Sequence, residues 1–201
     1  MNRNLRIQEY LSLGYIYLLA LGILSDTIYY RFLGITILEY SGIQDVLLSP
    51  IVLLTSNFIV PISLVVLIGI FYLWTFKLAP QMHLRYREKR WYRKLNNIER
   101  LDKKYATPTP PNTIATFVAM AVLIFYLGIG VGRGNKVRNQ IKSNDIEASY
   151  KVLFHTGEEE SVKVVGQNSL YLFYIGESDT ELIIAPIENN IKKIIQLEED
   201  N

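Results

Sequence analysis

Three long apolar segments dominate the chain, and a basic stretch separates the second from the third. Tyr10–Tyr30 has Asp26 as its only charge, while Val46–Phe76 and Thr113–Gly132 contain no Asp, Glu, Lys or Arg. About 20 apolar residues in a helix cross the hydrocarbon core of a bilayer, and too little polar chain remains to cover three such helices in a soluble core. The predicted transmembrane helices cover residues 10–30, 52–76 and 113–132.

The second apolar run is too long for one straight span. It has 31 residues, about 46 Å as a helix, and Thr55-Ser56-Asn57 and Pro61 interrupt it. Either residues 44–55 form a half-buried or re-entrant piece, or the span is tilted and kinked at Pro61.

The first apolar run is interpreted as a retained span. A cleaved signal peptide is the alternative, but the run continues past Ser25 and the small-x-small cleavage pattern is poor. Asp26 falls near the end of this span, where an ion costs little in the headgroup layer. The functional alternative makes Asp26 an ion or proton ligand inside the membrane.

The basic stretch, Lys77–Lys104, has ten Lys or Arg residues and three acids. Apolar residues recur in it every seven positions, at Leu84, Trp91, Ile98 and Tyr105, which predicts one amphipathic helix over residues 81–105. We expect it to lie on a leaflet rich in anionic lipid headgroups; a short coiled coil is the alternative. The candidate membrane-surface residues are Trp91, Arg87, Lys89, Arg90, Arg93 and Lys94.

A proline-rich linker, residues 107–112, ends this helix and completes a transmembrane domain over residues 1–134. A polar connector follows over 135–147, and residues 148–201 switch to a strand-like period with turn residues between the segments. The predicted strands are Ser149–His155, Ser161–Val165, Leu170–Ile175, Glu181–Ala185 and Ile191–Leu197.

The residues Leu182-Ile-Ile-Ala-Pro-Ile-Glu-Asn-Asn-Ile191 place a short proline-containing turn between the fourth and fifth strands. With five short strands and this turn, the C-terminal unit resembles the SH3-like and Sm-like five-stranded barrels. The resemblance implies peptide binding, nucleic-acid binding or self-association. Residues 145–201 carry twelve acids and four lysines, which argues against RNA, and no nucleic-acid partner is expected.

The string Gly128-Ile-Gly-Val-Gly-Arg-Gly134 does not have the spacing of a dinucleotide or phosphate-binding loop. It holds two small-xxx-small pairs, Gly128 with Gly132 and Gly130 with Gly134, which let membrane helices approach closely. All four glycines are predicted helix-packing residues. Pore lining and simple flexibility at the membrane exit are the alternatives.

No catalytic, metal or cofactor site emerges from the sequence. Cysteine is absent, and neither histidine, His83 or His155, has neighbouring ligands in the sequence. Glu158–Glu160 are interpreted as solvated charge. Three aromatic residues of one strand are either core or a partner surface: Tyr171, Phe173 and Tyr174.

The charge distribution predicts the orientation. With the basic stretch inside the cell, the N-terminus is cytoplasmic and the C-terminal domain is periplasmic or extracellular, in a cell (inner) membrane. Four basic residues flanking the third span oppose this: Arg133, Lys136, Arg138 and Lys142.

These features predict a non-enzymatic, multi-pass membrane protein that displays a small β-domain to a protein partner, as an accessory, sensor or assembly subunit, or that self-associates. The alternative is an oligomeric channel or pore. Three spans, a glycine-rich last span and a β-domain loosely resemble the small-conductance mechanosensitive channels, in which, however, the β-domain is cytoplasmic.

Overall fold

The computed structural model describes residues 7–55, 57–107, 111–176 and 181–197. The chain divides into two compact units. The first unit consists of Met1–Leu53 and Tyr126–Asn201, and the second unit is Leu54–Phe125. The helices are α1 (Ile7–Phe32), α2 (Ile43–Thr55), α3 (Ile59–Leu73), α4 (Ala79–Tyr86), α5 (Arg90–Leu95), α6 (Ile98–Ala106) and α7 (Pro111–Lys142).

Among the residues that the structure describes, three helical segments are long and apolar enough to cross a membrane: Leu11–Phe32, Ile59–Tyr86 and Thr113–Lys142. Their number agrees with the three spans predicted from the sequence, and together they indicate a membrane protein. The second segment joins α3 and α4 through a π-helical turn, Trp74–Leu78. The third continues well beyond the predicted span, because its polar last turns stay helical up to Lys142.

The long uncharged run of the sequence forms two helices. The first, α2, ends at Thr55, and α3 begins at Ile59 after Asn57, whose Oδ1 accepts a hydrogen bond from Ile59 N at 2.9 Å. Pro61 lies in the first turn of α3, where a proline removes no intrahelical hydrogen bond. The region 44–55 therefore belongs to a helix of its own, and Pro61 begins a helix instead of kinking one.

The basic stretch does not form the single amphipathic helix predicted over residues 81–105. It folds as three short helices, α4, α5 and α6, because Lys89 and Asn96 have extended backbones. Asn97 then caps α6 by accepting a hydrogen bond from Arg100 N at 3.1 Å. Asparagine at this position satisfies a free helix N–H, and this local preference outweighs the heptad pattern.

A five-stranded antiparallel sheet forms the C-terminal part of the first unit. Its strands are β1 (Tyr150–Phe154), β2 (Glu159–Gln167), β3 (Tyr171–Gly176), β4 (Leu182–Pro186) and β5 (Ile191–Gln196). Their order is β4-β3-β2-β1-β5, so β4 and β5 are the two edges and the sheet is not closed. The five predicted strands are confirmed; the predicted barrel is not.

Strand β3, which lies between β4 and β2, is buried on both faces. Leu172 and Tyr174 belong to an inner cluster on one face of the sheet. Phe173 and Ile175, which alternate with them and so point to the opposite face, belong to a junction cluster with the helical part of the first unit. The inner cluster is Val152, Val162, Leu172, Tyr174, Ala185 and Ile191. The junction cluster is Tyr29, Tyr30, Ile35, Ile37, Val165, Phe173 and Ile175.

Candidate functional site

The predicted glycine pairs lie on different surfaces of α7. A Cβ at Gly130 would lie 2.6 Å from the Ser25 carbonyl oxygen, and one at Gly134 would lie 2.8 Å from the Phe32 ring. Because the contacts on both helices advance in the same direction, α1 and α7 run parallel. Among the described residues, nothing lies within 4 Å of such a Cβ at Gly128 or Gly132, so in this part of the chain the Gly130–Gly134 pair is the one that packs closely.

Helix α2 packs against α1 and α7 through a third close approach. A Cβ at Gly22 would lie 2.8 Å from Pro50 N, and Tyr126 Oη donates a hydrogen bond to Pro50 O at 3.3 Å. Ser49 Oγ donates to the Asp26 carboxylate. Asp26 therefore joins two helices of the first unit. The Gly22–Pro50 contact was not predictable from the sequence, because a lone glycine in an apolar helix has no packing signature.

Two adjacent tyrosines at the end of α1 hold the sheet. Tyr29 Oη donates a hydrogen bond to Val165 O at 2.5 Å, and the Tyr30 ring lies 5.1 Å from the Phe173 ring, centroid to centroid. The Tyr30 hydroxyl lies directly against Gly166, where any side chain would collide with it. The register of β2 against β3 shifts between Val164 and Gly166. This β-bulge lies where the two tyrosines contact the strand, and it makes room for them.

A polar latch fastens the turn between β2 and β3 to the segment after α1. The Asp45 carboxylate accepts hydrogen bonds from Ser169 N at 3.0 Å and Ser169 Oγ at 2.8 Å, and from Gly42 N at 2.9 Å. Asn168 Nδ2 donates to Tyr40 O at 3.0 Å. One carboxylate thus caps α2 and holds the sheet.

The aromatic strand is consequently used within the molecule. Phe173 is fully buried in the junction cluster, Tyr171 packs edge-on against Tyr40 at 5.4 Å, and Tyr174 faces the inner cluster. Of the two interpretations of these residues, core or partner surface, the contacts favour core. The sheet is docked on the helices of its own unit and is not a loosely tethered module.

In the second unit, the basic stretch folds around His83, whose side chain is 1 % exposed. Nε2 lies 2.7 Å from Asp102 Oδ1, and the Tyr92 hydroxyl lies 3.4 Å from Nδ1. Rings of Tyr92 and Tyr105 pack against the imidazole. Burial, and to a smaller extent Tyr92, raises the pKa of the Tyr105 hydroxyl. The sequence did not reveal this arrangement, because 19 residues separate His83 from Asp102.

The predicted membrane-surface residues lie on the outside of this fold. Trp91 is 52 % exposed and contacts the rings of Tyr86 and Tyr92, and Leu84 and Leu95 are also exposed. The five predicted cationic residues are exposed too: Arg87, Lys89, Arg90, Arg93 and Lys94. Within the described ranges, no Lys or Arg of the basic stretch forms an ion pair.

The remaining polar candidates do not assemble into a site. His155 is exposed, Glu159 pairs with Lys151 at 3.2 Å, and Glu160 Oε2 lies 3.3 Å from Tyr174 Oη. Among the residues that the structure describes, no three His, Cys, Asp or Glu side chains could hold a metal ion together.

No protein-family model matches this chain, and comparisons with curated proteins and with solved structures gave no match either. A functional argument for this protein therefore starts from its own residues.

Proposed function

We propose that this chain is a non-enzymatic integral membrane protein that holds a small β-domain at the membrane surface for a protein partner, as an accessory, sensor or assembly subunit. The junction cluster carries the proposal. A sheet that is packed on the ends of two membrane helices, and latched there by Asp45, presents its other surfaces in a fixed orientation. Fixed presentation reduces the entropy lost on binding a partner.

The strand order supports an SH3-like or Sm-like type for this domain. Across a flat five-stranded sheet, the edges β4 and β5 would lie about 19 Å apart. Only residues 187–190 connect them, and five extended Cα steps reach at most about 18 Å. The connection is not extended, because Ile191 N donates to Ile187 O at 3.1 Å. This short connection supports a strongly curled sheet, of the kind found in a partly open barrel.

The orientation we propose has a cytoplasmic N-terminus and an external β-domain in the cell (inner) membrane. Two parallel spans, α1 and α7, require an odd number of crossings between them, and Ile59–Tyr86 supplies one. The unpaired charge of Lys77–Lys104 favours the cytoplasmic side. Arg133 argues against this orientation by its charge, but its guanidinium is partly accommodated within the unit, 4.9 Å from the Tyr29 ring centroid.

We further propose that the basic stretch binds anionic lipid headgroups, with Trp91 inserted between them. An exposed tryptophan amid unpaired cations is the composition of an interfacial anchor.

Single cysteines test the orientation, since the chain has none of its own. Lys192 and Lys94 are both exposed lysines. We expect an impermeant maleimide to label Lys192→Cys in intact cells, and Lys94→Cys only after permeabilisation. The reverse pattern would place the β-domain in the cytoplasm and overturn the proposed display.

Partner binding is tested by a photo-crosslinking residue at position 192, with the exposed Phe58 as the matched position outside the sheet. If the β-domain is displayed to a partner, we expect position 192 to give a discrete cross-linked product with another protein, and position 58 to give no such product. Lipid-only products at both positions would contradict it. Deleting the domain is a poorer test, because it uncovers the apolar side chains of α1 that now pack against the sheet.

An oligomeric channel is the second candidate, because Gly128 and Gly132 leave an open small-residue surface on α7. In proteoliposomes, a channel predicts ion flux that changes with Gly128→Leu or Gly132→Leu. If no flux were observed, the channel hypothesis would be contradicted. If the cross-linked oligomer were also unchanged in both variants, the packing role of this glycine pair would be contradicted too.

A further inference from the structure

The second unit contains an apolar groove between the helical segment Ile59–Tyr86 and the first turns of α7. Phe76 and Phe117 meet edge-on at one end of it, with 6.3 Å between their ring centroids, and Tyr72 packs on Phe76 at 5.1 Å. The groove is lined by Ile68, Phe71, Tyr72, Phe76, Ile114, Phe117, Val118 and Ala121. No charged side chain is among them.

The lining residues form one stripe on each helix. Ile68, Phe71, Tyr72 and Phe76 follow the three- and four-residue spacing of a helix face, and so do the four lining residues of α7. From Ile68 to Phe76 the groove runs for about 12 Å. This is most of the ~15 Å that one leaflet contributes to the hydrocarbon core. Its length therefore suits a lipid acyl chain lying along the helices.

The basic stretch begins where the groove ends. Lys77 directly follows Phe76, and the same helical segment continues to Tyr86, carrying Arg85. Both cations are exposed, and neither forms an ion pair in the described part of the chain. Of the three acids in the stretch, Asp102 is already engaged by His83. An anionic group at this end of the groove would thus meet positive charge with little competition.

We propose that the second unit binds one anionic phospholipid, with an acyl chain in the groove and its phosphate at Lys77 and Arg85. The inference rests on the proposed membrane-surface role of the basic stretch, and it adds a defined site to it. The occupant follows from two features of the same surface: apolar lining of acyl-chain length and unpaired cations at one end.

The test uses the full chain, purified in a non-ionic detergent, with native mass spectrometry as the readout. Phosphatidylglycerol and phosphatidylcholine of identical acyl chains are compared at equal concentration. We expect one retained phosphatidylglycerol per chain and a preference of about fivefold for each cation that contacts it. Equal retention of both lipids would overturn the proposal. Displacement of phosphatidylglycerol by millimolar glycerol phosphate would also overturn it, because the site would then recognise phosphate alone.

Two variants locate the site. Val118→Trp fills the groove at a position that is 40 % exposed. Its control is Val66→Trp, at a valine of α3 that is 54 % exposed and does not line the groove. We expect the retained lipid to fall about tenfold in the first and to stay within about twofold in the second. Lys77→Gln should lower only the headgroup preference. If Val118→Trp and Val66→Trp bound alike, the groove would not be the site.

The outcomes of this lipid-binding test can be distinguished from a failure of the proposed display function. Binding in detergent does not depend on which side of a membrane the basic stretch faces. Loss of specific lipid binding with an intact maleimide-labelling pattern would overturn this inference alone, whereas reversed labelling with specific binding would overturn the orientation alone.

Discussion

The two units use similar apolar helices in opposite ways. In the first unit, α1 and α7 bury side chains against each other, against α2 and against the sheet. In the second unit, none of the most apolar part of Ile59–Tyr86 is buried, and at its start Phe58 is 87 % exposed. One unit finds its packing partners within the chain, while the other leaves much of its apolar helix surface exposed.

The difference lies in small residues that meet a complementary surface. Gly22, Gly130 and Gly134 each allow a backbone or ring to approach closer than a side chain would permit, whereas Gly69 of α3 has nothing within 4 Å. Large aliphatic residues alone do not draw membrane helices together, because lipid tails are equally apolar. Close contact thus distinguishes the self-packed unit from the unit with exposed apolar helices, and glycine content alone does not.

The largest expected loss of stability comes from removing a buried side chain of the junction cluster. Phe173→Ala removes a fully buried ring between the sheet and Tyr30 and should lower the free energy of unfolding by about 4 kcal/mol. Tyr72→Ala, at a half-exposed aromatic residue of the second unit, should cost far less. Thermal unfolding in detergent, monitored by circular dichroism, compares the two variants. Equal losses would mean that the units do not differ in self-packing.

The glycine pairs provide a sharper version of the same comparison. Gly130→Val should destabilise the first unit by about 3 kcal/mol, at the upper end for overpacking, because its Cβ meets backbone atoms of Ser25. Gly128→Val, two residues away on the open surface of the same helix, is the matched control and should leave the unfolding midpoint nearly unchanged. A Gly128→Val variant as unstable as Gly130→Val would show that both pairs are packed.

The hydrophobic pattern and the turn residues were sufficient to predict which parts of the chain form apolar helices and which form strands. The number of apolar helices and all five strands were predicted, because each depends on residues close together in the chain. The heptad at Leu84, Trp91, Ile98 and Tyr105 was misleading, since the backbone breaks at Lys89 and Asn96 are set by capping and by packing around His83.

The contacts that build the candidate site were not predictable in the same way. Tyr29 meets Val165 across 136 residues, and Asp45 meets Ser169 across 124. Nothing local distinguishes a tyrosine of a membrane interface belt from one that fixes a sheet. For the same reason, the sequence identified both glycine pairs but not which of them has a partner helix.

The buried His83 forms a polar centre in the second unit, and a matched pair of acids tests it. Asp102→Ala leaves the His83 Nε2 buried without its acceptor at 2.7 Å and should cost about 2 kcal/mol. Glu99→Ala removes an exposed acid from the same helix and should be nearly neutral. Limited proteolysis within residues 86–98 reports the opening of this fold. Equal cleavage in both variants would contradict a structural role for the pair.

The smallest expected effect concerns the polar latch of the first unit. Asp45→Ala removes the α2 cap and both hydrogen bonds to Ser169, and should cost about 1 kcal/mol, because the latch is partly solvated. Glu39→Ala, at an exposed acid six residues earlier, is the control. A double-mutant cycle with Ser169→Ala separates capping from docking: the hydroxyl bond should make the combined loss smaller than the sum of the single losses. Additive losses would show that the Ser169 hydroxyl contributes nothing to docking of the sheet through Asp45.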